Sequence, residues 1–206
     1  MIVKFDHISY SCALCDEEKT QQMFEGYEAQ FHEVDLKNMP MKYKYMHKEQ
    51  EKHNIMLLTK EGSYPVEITA YESCKKREAA FGDKYVLSDN LISIYSECPK
   101  ETENMFVLLG MKKSETGILE LKPFLDEKKV RIQVLGTTGP KGILLDEEGF
   151  GSLAFVVDNA KKQRELLLNG GYECSEIEEL IVNGKKLKIF FTNSQTNEII
   201  EFIGLR

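Results

Sequence analysis

One pattern that recurs three times along the chain constrains the fold more than any other feature. Residues 5–11 alternate apolar and polar side chains, as a half-buried strand does. Residues 91–96 and 152–158 repeat the pattern, and a helical segment follows each copy. Repetition at this spacing indicates a chain assembled from one supersecondary unit used three times.

Each copy has the pattern of a strand, a helix and further strands. The helices are predicted over residues 16–27, from Pro99 to a stop at Gly110, and from a cap at Asp158 or Asn159 to Asn169-Gly170-Gly171. Extended segments follow at 31–36, 42–46, 54–59 and 65–71, then at 118–121, 130–135 and 142–145, and finally at 177–182, 186–192 and 198–203.

The predicted fold class is therefore α+β, with three β-α-β-β-β units. The units span residues 1–74, 85–147 and 148–206, with a charged linker over 75–84. We expect residues 85–206 to pair as one domain. A ferredoxin-like α+β fold is the alternative, but it needs a second helix in each repeat, and residues 112–148 and 173–206 contain no amphipathic helix.

Charge and cysteine content exclude several classes of function. The net charge is −7, with 27 Lys and Arg interspersed among 34 Asp and Glu, which argues against nucleic acid or an anionic membrane as a partner. No apolar run approaches the roughly 18 residues that a bilayer crossing requires. An odd number of cysteines, 5, fits reduced thiols better than a disulfide framework and predicts a soluble cytoplasmic protein.

Short stretches in all three copies resemble the vicinal oxygen chelate superfamily of glyoxalases, bleomycin-resistance proteins and extradiol dioxygenases. They are residues 5–9 and 64–68, residues 91–96 and 108–112, and residues 149–158 and 197–202. The resemblance implies curled mixed sheets, with two units paired so that their sheets enclose a cup. It also implies metal ligands on the first strand of a unit, a His or Gln, and on the last strand, a Glu.

Carried onto this sequence, the resemblance gives both ligands only in the first copy, as His7 and Glu67. The third copy supplies Glu201 but has Ser152 where a His is expected. The second copy has Leu91 where the His ligand is expected, and about Leu144 where the Glu ligand is expected. A divalent metal site (Zn, Fe, Mn or Ni) then requires the first copy to pair with the third, or with its twin in a homodimer. Glu67 is the expected catalytic residue.

Less specific interpretations of these residues stay open beside that one. A strand histidine is often a hydrogen-bonded core residue, and strand carboxylates often lie on a solvated outer face. The other histidines, His32, His47 and His53, are expected in or near a solvated edge hairpin. Cys12 and Cys15 form a CxxC pair without the surroundings of a redox or zinc motif.

Two functions follow as expectations. The first is a site for a small molecule in the cup, either for binding alone or as a divalent-metal lyase, isomerase or dioxygenase. The alternative is a non-catalytic dimerisation or interaction protein with a degenerate metal site. An odd number of units leaves one without a partner in the chain, which predicts a homodimer or an arrangement that covers its own apolar face.

Overall fold

The computed structural model describes residues 1–50, 52–77, 83–88, 90–126, 128–138 and 143–204. Three α-helices lie in these ranges: α1 (Glu17–Met23), α2 (Pro99–Leu108) and α3 (Ala160–Asn169). Two 3-10 helices span Leu14–Asp16 and Pro40–Tyr45. The strands are β1 (Ile2–Ala13), β2 (Glu28–Lys37), β3 (Lys52–Thr59), β4 (Val66–Tyr71), β5 (Tyr85–Ser88), β6 (Leu91–Ser96), β7 (Lys112–Lys113), β8 (Leu119–Leu121), β9 (Val130–Gly136), β10 (Gly149–Val157), β11 (Glu173–Cys174), β12 (Glu178–Val182), β13 (Lys185–Asn193) and β14 (Ile199–Gly204).

The first and third repeats share one sheet. Its order is β11-β13-β14-β10-β1-β4-β3-β2, with β12 paired to β13. At the centre β1 runs antiparallel to β10, and each is parallel to the last strand of its own repeat, β4 and β14 respectively. The two halves therefore have the same connectivity, and the predicted α+β class with curled mixed sheets is confirmed.

The second repeat forms a separate sheet, in the order β5-β6-β9-β8-β7. The structure thus pairs the first unit with the third, instead of joining residues 85–206 as expected. Strand β5, residues Tyr85–Ser88, pairs with β6 and occupies one of its edges, so this edge is not open to β10. Of the predicted linker, residues 78–82 lie outside the described residues.

One face of each sheet contributes to a common hydrophobic core. Strands β1, β10 and β14 supply fully or almost fully buried aromatic side chains, namely Phe5, Phe155 and Phe202. The second sheet adds Ile92 and Ile132 to the same cluster. The unpartnered unit therefore covers its apolar face within the chain, which is one of the two arrangements expected for an odd number of units.

Several local predictions need correction. Of the predicted strand 42–46, residues 42–45 belong to the 3-10 helix Pro40–Tyr45, and Met46 is its C-cap. Proline stands at the start of this helix, where its missing N–H costs nothing. Helix α1 is shorter than the predicted 16–27, because its C-cap Phe24 already leaves the helical conformation, with a ψ of 68°. Residues 143–145 are not extended, and Gly142 lies outside the described residues.

The predicted caps of the other two helices are confirmed. Asn159 is the N-cap of α3, and its side chain accepts a hydrogen bond from the Lys162 backbone N–H at 3.0 Å. Helix α2 starts at Pro99, and Gly110 follows its last residues with a φ of 97°. Among the described residues, none of the helices has the length and apolar character needed to cross a membrane.

Helix α3 packs so closely on β14 that only glycine fits at Gly204. An added Cβ there would lie 2.7 Å from the Ala160 Cβ. We expect Gly204→Ala to lower the free energy of unfolding by about 1–3 kcal/mol, as overpacking does. The control is Gly151→Ala, whose new Cβ would have no neighbour nearer than 3.8 Å. Chemical denaturation that finds both variants equally stable would contradict this packing.

Candidate metal centre and ligand cavity

The shared sheet curls until its two ends meet. Glu33 on β2 accepts a hydrogen bond from the backbone N–H of Asn183, in the turn after β12. The Met41 backbone N–H donates to Glu178 of β12 at 3.2 Å. The curled sheet encloses a cup with a cavity of about 530 Å³. Strands from both halves line it, because every second side chain of each strand faces inward.

Asp6 and His7 both line the cup, although they are consecutive on one strand. The register of β1 against β10 shifts between Phe5 and His7, which inserts Asp6 as an extra residue. Such a bulge redirects side chains, so that two neighbours can face the same side. The Asp6 carboxylate lies 3.1 Å from His7 Nδ1.

The three predicted metal ligands meet at the floor of the cup. His7 Nε2 lies 3.6 Å from Glu67 Oε1 and 3.7 Å from Glu201 Oε2. His7 and Glu201 are buried, with 2% and 8% exposure, and Glu67 is partly buried. Strands β1, β4 and β14 thus bring together residues that are far apart in sequence. Neither carboxylate lies on a solvated outer face.

Burial and charge act against each other in this cluster. Burial alone would lower the pKa of His7, but the carboxylates of Glu67, Asp6 and Glu201 outweigh it and raise the pKa to about 9. Burial raises the pKa of Glu201 to about 7, against the opposing effects of His7 and Lys42. Without a cation, a protonated His7 therefore serves as the counter-ion of these carboxylates.

The strand registers identify the corresponding positions in the other repeats. Glu67 pairs with Ser9, two positions after His7. Glu201 pairs with Ala154, two positions after Ser152. The structure therefore aligns Ser152 with His7, as the sequence did.

In the second repeat Ser93 pairs with Gln133, so the position that corresponds to Glu67 is Gln133. Leu144, which the sequence suggested for that place, lies outside the strands that the structure describes. The second repeat thus offers Leu91 and an amide where the first has an imidazole and a carboxylate.

Two residues of the cup, Lys42 and His53, were not predicted from the sequence. The segment from Lys42 to His53 was expected to be a solvated hairpin. Both side chains line the cup, with 8% and 1% exposure. Burial lowers the pKa of His53 to about 2, so this imidazole is neutral, and it stacks on Tyr71 with ring centroids 5.7 Å apart. The long-range packing of Pro40–Tyr45 on the third repeat brings Lys42 inward, and no local pattern encodes that packing.

Apolar side chains form the walls of the cup. The first repeat supplies Phe31, Ile55 and Leu57, and the third supplies Leu180, Leu187 and Ile189. The second repeat reaches the opening through Leu125, whose backbone N–H donates to the Val3 carbonyl at 2.8 Å. The cup therefore combines a charged floor with walls suited to an apolar ligand body.

The residues at the floor have the donor types for a divalent cation. His7 Nε2 is buried and has no hydrogen-bond partner, while the Asp6 contact occupies the other ring nitrogen. Metal–ligand distances of roughly 2.1 Å allow two donors on one ion to lie up to about 4 Å apart. No group of three or more His, Cys, Asp or Glu among the described residues is preformed as a metal site. The carboxylates would therefore have to rotate toward the ion.

The CxxC pair is separate from the cup. All five cysteines are free thiols, and Cys12 is buried while Cys15 is exposed. Burial raises the pKa of the Cys12 thiol to about 11, so it is protonated near neutral pH. A protonated thiol is a poor nucleophile and metal ligand, which disfavours a redox or zinc role for the pair.

Paired β-α-β-β-β units whose curled sheets enclose a cup define the vicinal oxygen chelate fold. No family model and no curated protein matches the sequence. Among solved structures, a methylmalonyl-CoA epimerase from Mycobacterium tuberculosis is 13% identical, with 98% of this chain and 88% of that one covered and a TM-score of 0.46. Glyoxalase I from Zea mays is 10% identical, with 97% and 67% covered and a TM-score of 0.41.

A putative dioxygenase from Bacillus subtilis is 13% identical over 98% of this chain, with a TM-score of 0.41. The chain spans 62% of the length of that protein. Likenesses of this size carry no information about the reaction, so the function has to be inferred from the site itself.

Proposed function

We propose that the cup binds a small molecule through a divalent metal ion held by His7, Glu67 and Glu201. The observation that carries this proposal is the buried, unpartnered Nε2 of His7, which lies within 3.7 Å of carboxylates from both halves of the sheet. Nitrogen and carboxylate donors of this kind suit Zn, Fe, Mn or Ni.

The chemistry would be of the lyase, isomerase or dioxygenase type. A divalent ion here would act as a Lewis acid on two adjacent oxygens of the ligand. Asp6 contacts Nδ1 of His7 and so orients the imidazole, leaving Nε2 free to face the ion. The Thr69 hydroxyl donates to Glu67 Oε1 at 3.2 Å and holds this carboxylate at the floor, where it can take a proton from the ligand.

A thermal screen tests the proposal. We expect Mn²⁺, Fe²⁺, Ni²⁺ or Zn²⁺ to raise the melting temperature of the purified protein, because an ion that binds only the folded state stabilises it. At a concentration about 100-fold above the Kd the gain is about 2.7 kcal/mol. A chelator should reverse the shift. If none of the four ions changes the melting temperature, the metal role is wrong, and ligand hits in the same screen would then indicate a binding protein without metal.

We further propose a cytoplasmic location, supported by five free thiols and no disulfide among the described residues. The homodimer stays a prediction, although the second repeat covers its apolar face within the chain. Light scattering decides, because a dimer has twice the chain mass of 23.7 kDa. A particle of single-chain mass would contradict the homodimer.

A further inference from the structure

Lys42 brings a buried positive charge to the cup. It lies in the 3-10 helix Pro40–Tyr45, whose neighbours Met41 and Tyr45 pack against Ile189 and Phe191 of the third repeat. Its side chain lines the cavity and only 8% of the residue is exposed. The Pro40–Tyr45 helix thus delivers an ammonium group from the first repeat to the wall formed by the third.

This ammonium group has no carboxylate partner within 4.0 Å among the described residues, and its Nζ makes no hydrogen bond to them. Its described contact is the face of the Phe191 ring, 5.7 Å from Nζ to the centroid. The other buried lysine, Lys84, is paired with Glu198 at 2.5 Å. The Nζ atom is accessible from the cavity, so an anion inside the cup can pair with this ammonium group.

Most charges of the cup have a partner of opposite sign. Asp6 is paired with Lys4, Nζ to Oδ1 at 3.3 Å. A divalent ion would neutralise the carboxylates of Glu67 and Glu201. Lys42 then has no carboxylate partner inside the cavity, and Lys185, the further lysine of the lining, lies at its exposed rim.

We propose that Lys42 binds the negatively charged group of a small organic acid whose apolar body lies against the cup walls. The inference deepens the proposed function, on which it rests for the position of the ligand's other oxygens. A single buried ammonium matches a monoanion such as a carboxylate better than a phosphate dianion. A charge-assisted hydrogen bond in a desolvated cavity also gives a large preference for the charged ligand over a neutral analogue.

Calorimetry with 4-methyl-2-oxopentanoate and its methyl ester tests the inference, because the two probes differ in charge and share the apolar body. Both are titrated into the full chain with and without Mn²⁺. We expect the acid to bind about 10-fold or more tightly than the ester. Lys42→Met should reduce acid binding to the level of the ester and leave ester binding unchanged, and Lys42→Arg should keep most of the preference. Lys185→Met, which removes a lysine at the exposed rim of the cup, is the matched control.

Each failure has its own signature. Equal binding of acid and ester by the unaltered protein overturns the inference, as does unchanged acid binding in Lys42→Met or the failure of both probes to bind. The comparison of acid with ester needs no variant, so it decides even if Lys42→Met does not fold. If Mn²⁺ does not bind but the acid still binds through Lys42, the metal role falls and the inference stands. If Mn²⁺ binds and Lys42→Met has no effect on binding of the acid, the metal role stands and the inference about Lys42 falls.

Discussion

Replacing Lys84 with methionine is expected to lower the free energy of unfolding by about 3–5 kcal/mol, the usual cost of removing one partner from a buried ion pair. The Lys84 and Glu198 side chains are 1% and 0% exposed, with Nζ 2.5 Å from Oε1. Lys84 also donates to the Thr196 carbonyl at 2.9 Å. The variant leaves Glu198 as a buried charge without its cation.

The pair matters because it joins the second repeat to the third. Lys84 directly precedes β5, and Glu198 closes the turn before β14. Hydroxyl groups from both repeats surround Glu198 Oε2, with Thr102 Oγ1 at 2.9 Å and Thr196 Oγ1 at 2.5 Å. A loss of this pair should therefore loosen the second repeat from the sheet that forms the cup.

The control is Lys52→Met, which breaks a surface pair with Asp35 whose side chains are 53% and 73% exposed. We expect no measurable change there, because solvent screens such pairs. The double variant Lys84→Met with Glu198→Leu should recover much of the stability, since it removes both charges. Urea titrations in which Lys84→Met and Lys52→Met behave alike would contradict the account of the buried pair.

The pair should also make stability depend on pH. Burial alone would raise the pKa of Glu198, but Lys84 and the surrounding hydroxyls outweigh it and lower the pKa below its usual 4.5. A depressed pKa contributes stability above the unfolded value, and that stability is lost as the pH falls through the folded value. The difference in stability between the unaltered protein and Glu198→Gln should therefore shrink below about pH 4.5. A constant difference down to pH 3 would contradict this.

Replacing His7 with alanine is expected to weaken Mn²⁺ binding by about 100-fold or more, since loss of second-shell partners alone costs 10–100-fold. The reason is geometric: Nε2 is the donor that lies between the carboxylates of Glu67 and Glu201. Asp6→Asn should cost about 10–100-fold, because it weakens the group that orients the imidazole. Equilibrium dialysis against Mn²⁺ measures the loss of affinity in both variants.

His32→Ala is the matched control for this series. His32 is a half-exposed histidine on β2 that pairs with Glu17 outside the cup, Nε2 to Oε1 at 2.8 Å. We expect its Mn²⁺ binding to equal that of the unaltered protein. If His7→Ala and His32→Ala bind Mn²⁺ equally well, the ion lies elsewhere or binds nonspecifically.

The resemblance, carried onto the repeats, proposed His7, Glu67 and Glu201 as residues of one site, and the structure brings them together at the floor of the cup. The two-residue period of a strand could not decide by itself whether these side chains face inward or outward, because both faces of a strand alternate in the same way. The pairing of the repeats was not predictable in the same way. Strand β5, four residues long, occupies one edge of β6, and the sequence predicted no strand over residues 85–88.

The position of Lys42 in the cup could not be predicted from the sequence, for a different reason. Its position in the cup depends on packing between Pro40–Tyr45 and strands more than 140 residues later in the chain, such as β13. Local composition there, rich in lysine and glutamate, is typical of a solvated segment. Methionine and tyrosine residues within the same segment, Met41 and Tyr45, are buried and hold it inward.

Anomalous diffraction from crystals soaked in Mn²⁺ tests the central claim most directly. The account predicts one strong peak at the floor of the cup, within bonding distance of His7 Nε2 and of the carboxylates of Glu67 and Glu201. The peak should be missing from His7→Ala crystals soaked in the same way. A map without a peak at this place, or with Mn²⁺ bound only elsewhere on the chain, would contradict the proposed metal centre.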